Sequence, residues 1–239
     1  MMLALGAMGA CAQQGGDLQA RILYAFHAED INQLANLAQS LGTKVRTGGA
    51  DEALRYHLAH ADYRLGSLLE ETRAHDAEAA FVECVDQLKS VLQQDGGSVE
   101  ALVLQSACYS QLAGFGRLAG AMDRSRAAER LSAAARLAPR NPRVVYLGAM
   151  QDMARAPPGS PESQRAFAKL QLSAQLFEDS SSTSIDVPGW GHADAYLELG
   201  RQFELRGDFV GARNWIEKSL LMAPDFKAAE RQLATLVRR

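Results

Sequence analysis

The final third of the chain carries the clearest alternation of apolar and polar positions. From Ala193 to Arg206, Tyr196, Leu199, Gly200 and Phe203 follow one another at steps of three, one and three, which places them on one helical face. Gly207-Asp208 breaks that pattern. From Phe209 to Met222, Ala212, Ile216 and Ser219 again share a face, and Pro224 closes the segment because the residue before a proline is pushed out of the helical region. Gly200 and Ala212 are small where two antiparallel helices must approach closely. A last helix is expected from Phe226 to Val237, with Leu233 and Leu236 facing inward and Arg238 and Arg239 suited to its C-terminus.

Parts of this pattern recur upstream. Ala127, Leu131, Ala134 and Pro139 have the spacing of Ala212, Ile216, Ser219 and Pro224, and Ala166, Leu170 and Ser173 repeat it without the proline. Val144 and Leu147-Gly148 match Tyr196 and Leu199-Gly200. Leu102, Ser106 and Tyr109 form a weaker version, and Tyr56, His60 and Tyr63 a weaker one still. No segment alternates with period two, so no strand is predicted. The expected fold class is all-α, a solenoid of antiparallel helix pairs that bury their apolar faces on one another.

Taken together, Tyr196, Leu199-Gly200, Phe203, Gly207, Ala212, Ile216, Ser219 and Pro224 resemble the tetratricopeptide repeat, whose pattern is matched throughout this block. The resemblance is tight from Ala193 to Phe226 and loose over most of the rest. It divides the chain into a segment 1–12, an N-terminal helical segment 13–49, and repeats over 50–239 that end in a capping helix 226–239. The upstream repeats carry insertions at 114–120, 156–161 and 178–191. Gly200 and Ala212 are 12 residues apart, whereas Gly148 and Ala166 are 18 apart. The surplus lies in Pro157-Pro158-Gly159-Ser160-Pro161, which cannot be helix interior.

Composition narrows the function class. The chain has 239 residues, 47% hydrophobic and 22% charged, which fits a folded globular protein. Its net charge is −3 and no run of Lys and Arg makes a basic stripe, so nucleic acid is not an expected partner. No later stretch is long and apolar enough for a membrane span. At the start, Met1 to Ala10 is apolar and Ala10-Cys11-Ala12 has the small-x-small form of a signal-peptidase site. Cys11 after Gly9-Ala10 also resembles a lipoprotein acylation site, so a lipid anchor there is a further expectation. No Lys or Arg precedes Arg21, as a start placed too far downstream would explain. The expected location is periplasmic or envelope-anchored, with a cytoplasmic location as the alternative.

Few residues suggest chemistry. His57 and His60 lie three apart on a predicted helix, but no carboxylate joins them at ligand spacing. They are read as one groove-facing and one packed histidine, and no metal or other cofactor is expected. Cys84 and Cys108 fall on neighbouring predicted helices. As lone cysteines outside any motif they are expected to be free and buried, with pairing the outcome that export would permit. No nucleophile elbow or phosphate loop is present, and catalysis is not expected. Trp190 stands between two glycines. It could anchor a partner, but packing over the insertion is preferred, because an irregular loop needs an apolar tether.

What the resemblance implies for function is a concave groove lined by the first helix of each pair, in which an extended protein or peptide partner lies. Its offsets map onto Asp194, Leu197, Arg201 and Glu204 in the best repeat. In the weaker ones they give Val145 and Asp152, Val103 and Gln111, and His57 and Arg64. The implied function is a non-catalytic scaffold or adaptor of the bacterial envelope. The rival is a small-molecule-binding accessory protein with a pocket lined by Tyr56, Tyr63 and His57.

Overall fold

The computed structural model describes residues 17–48, 51–180 and 189–238. The segment read as an export signal, including Cys11, and residues 181–188 of the last insertion lie outside the described residues. Described residues form helices and turns, with no strand. A helix over 17–27 (α1) is followed by α2 (Ile31–Thr47), α3 (Glu52–Leu69), α4 (Ala74–Gln94), α5 (Val99–Leu112), α6 (Arg117–Leu137), α7 (Pro142–Arg155), α8 (Pro161–Ser180), α9 (His192–Leu205), α10 (Phe209–Met222) and α11 (Lys227–Val237). Contacts group the chain into two compact units, one built mainly from residues up to Arg130 and the other mainly from Leu131 onward. Among the described residues no helix is long and apolar enough to cross a membrane.

The sequence sets the helix starts by capping. Asp30, Asp51 and Asp208 each accept a hydrogen bond from the backbone N–H three residues on, at 2.9, 2.7 and 2.8 Å. Asn141 does the same for Arg143 and Val144, ahead of Pro142, whose missing N–H costs nothing in a first turn. These side chains satisfy donors that helix geometry leaves unpaired.

In the first unit α3 packs along α4, α2 packs on α3, and α4 packs on α5. Ile22, Leu34, Leu41 and Leu58 form a core under α1, α2 and α3. α5 has no exposed face along most of its length, since every residue from Ala101 to Tyr109 is buried. That fits a helix apolar all round. Its Ser106 hydroxyl donates to the Ala127 carbonyl of α6 at 2.7 Å, which satisfies a buried polar side chain at a close helix contact. Cys84 of α4 and Cys108 of α5 are joined by a disulfide, with Cα atoms 6.4 Å apart. The expectation of free thiols is thereby corrected. α4 and α5 are adjacent antiparallel helices, and their register brings the two side chains face to face.

The second unit holds two helix pairs, α7 with α8 and α9 with α10, and α11 covers α10. Ala149, Leu170, Ala174, Tyr196 and Leu199 form its core. At the α9–α10 crossing, a Cβ on residue 200 would collide with Ile216 and lie 3.1 Å from the Ala212 carbonyl oxygen, so glycine permits the approach. The Ser219 hydroxyl donates across the same crossing to the Ala193 carbonyl at 2.8 Å.

Candidate functional site

The residues assigned to the groove differ sharply in their surroundings. In the first unit, Val103 is fully buried and Arg64 is 4% exposed. Arg64 donates from Nε to His60 Nε2 at 3.3 Å and lies 4.1 Å from the Phe26 ring centroid. His60 is itself fully buried and occupies the packed position. Gln111 is half-buried at the end of α5. His57 is half-buried on α3, and burial lowers its pKa, so it is neutral at physiological pH. Among the described residues no group of His, Cys, Asp and Glu side chains could hold a metal ion.

In the second unit Val145 and Leu197 are buried. Asp152 of α7 is engaged with α8, accepting from Lys169 at 3.0 Å, and with Arg155 on its own helix at 3.3 Å. Asp194 accepts from the Gly191 N–H at 3.1 Å and so closes the start of α9. Glu204 accepts from Gln232 of α11. Arg201 is exposed, with only a long contact of 3.6 Å to Glu198. Four of the ten residues, Arg64, Val103, Val145 and Leu197, are therefore covered by protein. Asp152 and Glu204 bond to neighbouring helices, and Asp194 closes the start of its own. His57, Gln111 and Arg201 keep side-chain surface available to a partner.

Trp190 is 2% exposed, which is the packing arrangement. The Arg143 Nε donates to the Trp190 carbonyl at 3.0 Å, and the guanidinium lies 5.5 Å from the indole centroid and 5.6 Å from that of Phe177. Gly191 follows with φ 98°, a left-handed conformation in which a side chain would be strained and would meet Phe177.

A row of rings runs along α8, α9 and α10, of which the sequence pattern singled out Tyr196 and Phe203 but not Phe167 and Trp215. Phe167 meets Phe203 edge-on at 5.2 Å, and Tyr196 lies 5.4 Å from Trp215. Arg206 lies 3.9 Å from the Phe167 centroid and Lys218 lies 4.4 Å from that of Trp215. The Tyr196 hydroxyl and Lys218 both donate to Glu178, at 2.7 and 3.0 Å. Those bonds hold the Glu178 carboxyl below its ordinary range, while burial and the adjacent carboxylate push Tyr196 up. The sequence signal for the cation contacts was the three-residue spacing of Trp215 with Lys218; Arg206 meets a ring on another helix, Phe167 of α8, which spacing does not show.

One buried acid lies outside every expectation. Asp62 of α3 is 8% exposed, and burial, with Glu83 of α4 adding to it, raises its pKa well above the ordinary value. A carboxyl whose folded pKa exceeds its unfolded pKa destabilises the fold as pH rises. The cost begins near the unfolded value of about 4 and is complete above the folded one. Asp62→Asn is therefore expected to raise the melting temperature at pH 7, with the gain shrinking toward zero as pH falls to about 3. Melting curves of both proteins across this range test it, and a pH-independent difference would refute the assignment.

The arrangement of helix pairs matches a thermophilic tetratricopeptide-repeat protein of Thermus thermophilus. The TM-score is 0.65 and the identity 16%, over 95% of this chain and 100% of that one. The fold is thus of the tetratricopeptide-repeat type, carried on a divergent sequence. No protein-family model matches the chain, and no curated protein matches it.

Proposed function

We propose that this protein is a non-catalytic scaffold that binds a protein segment on the accessible faces of its helix pairs, working in the bacterial envelope. The observation that carries the reading is the fold. Within each unit the packed helices bury a shared core and leave outer faces whose side chains are free to vary, which suits recognition better than chemistry. His57, Gln111 and Arg201 are the groove positions through which contact would be made. Buried Val103, Val145 and Leu197 would act by holding the surface rigid. The Cys84–Cys108 bond supports a location outside the reducing cytosol, because such bonds persist in oxidising compartments. A periplasmic or membrane-anchored protein, with Cys11 as the anchor, agrees with that bond.

The test is crosslinking capture from a native cell envelope with the full chain and with a variant carrying Gln111→Glu and Arg201→Glu. Both side chains reach solvent, so the variant is expected to fold normally. A protein held by the wild type and lost with the variant is the expected result. Equal capture by both forms would remove the groove assignment, and absence of any specific protein would remove the scaffold reading.

A further inference from the structure

A cavity of about 690 Å³ lies between α1 and α2, and none of the groove residues lines it. Leu18, Leu37 and Leu41 contribute to its walls. Around them stand Arg21 from α1 and Asn32, Asn36, Ser40 and Lys44 from α2. Among the described residues, none of these five polar side chains has a hydrogen-bond or ion-pair partner. All five are exposed, and the two cations among them lie beside one cavity without a carboxylate partner, whereas many exposed cations elsewhere are paired. Arg165 meets Glu162, Arg213 meets Glu217 and Lys227 meets Glu230. Asp30, the acid at the rim, is already occupied in capping α2. The free charge facing the cavity is therefore positive.

The four α2 residues are spaced by four, so each stands about 6 Å along the helix from the last. An extended chain repeats every two residues, about 6.7 Å. An asparagine amide offers both a donor and an acceptor, the pair of functions that an unpaired peptide group needs. Two asparagines, a serine and a lysine in line thus present hydrogen-bonding groups close to the repeat of an extended backbone, and Arg21 and Lys44 favour acidic side chains on it.

We propose that this face of the α1–α2 hairpin docks an extended, acidic segment of a partner protein. The proposal rests on the scaffold reading and gives it a second contact surface, with a stated chemistry.

The experiment uses the isotopically labelled full chain and two capped octapeptides, one alternating glutamate with serine and the other lysine with serine. The glutamate peptide is expected to shift the side-chain amide resonances of Asn32 and Asn36, and the lysine peptide to leave them in place. Arg21→Gln combined with Lys44→Gln is expected to weaken binding about tenfold with little change in melting temperature, since neither side chain is paired in the fold and no negative charge is placed at the end of α2. Asn32→Ala combined with Asn36→Ala, which leaves the charges in place, is expected to weaken it as well. Unmoved asparagine resonances, or equal shifts with the lysine peptide, would overturn the proposal. Neither result bears on capture that depends on Gln111 and Arg201, so failure here and failure of the scaffold reading are distinguishable.

Discussion

Replacing Trp190 with alanine is expected to destabilise the second unit by about 3–5 kcal/mol, the range for emptying a large buried aromatic site. The indole is 2% exposed and sits where irregular chain enters α9. Arg143 bonds to the Trp190 carbonyl, not to the ring, so the substitution keeps that acceptor and removes only the packed surface. An indole buries about 150–250 Å², worth roughly 4–6 kcal/mol at 25 cal/mol per Å², of which alanine recovers a part. The remaining tryptophan, Trp215, also lies in the second unit and reports its unfolding by fluorescence in urea. Trp190→Phe, which keeps a ring in the site, is expected to cost clearly less. A loss below about 1 kcal/mol for the alanine variant would show that the ring is not what secures the start of α9.

The parts of the fold legible in the sequence are those that local periodicity controls. The break at Gly207-Asp208 separates α9 from α10, and the small residues at 200 and 212 mark the crossing, because close approach can be satisfied only by particular residue types. Burial on the far side of a helix is not local. Val103 and Leu197 sit at offsets that face open groove in a regular repeat, yet both are covered here. For Val103 the reason is visible, since α5 is buried on every face from Ala101 to Tyr109. Cys84 and Cys108 share no motif, and their sequence separation of 24 says nothing about whether two helices bring them together. Asn32, Asn36, Ser40 and Lys44 were readable as a stripe, but a polar stripe alone signals only a solvated face. The cavity against α1 and the absence of partners distinguish it, and both are tertiary facts.

Removing the Cys84–Cys108 bond is expected to cost about 3.5 kcal/mol, the loop-closure entropy that a cross-link of this separation takes from the unfolded chain. Both residues are fully buried, so Cys84→Ala with Cys108→Ala removes the cross-link without exposing a polar group, and the small volume lost adds little. The loop takes in the second half of α4 and most of α5, and α5 is buried along most of its length. Opening the loop therefore loosens the element around which α4 and α6 pack. Urea unfolding followed by circular dichroism, on the oxidised protein, the reduced protein and the double variant, measures the loss. Reduced wild type and double variant should agree, and both should fall well below the oxidised form. Equal stability of all three would mean that the bond does not constrain the unfolded state. The same loss bears on location. A chain that depends on this cross-link is weakened wherever thiols are kept reduced, and it reaches full stability only where the pair stays oxidised. Alkylation of the protein in intact cells, before any lysis, separates the cases. Resistance of Cys84 and Cys108 to the reagent once the protein is unfolded without reductant supports residence in the envelope, and ready modification under that same condition places the protein in the cytoplasm.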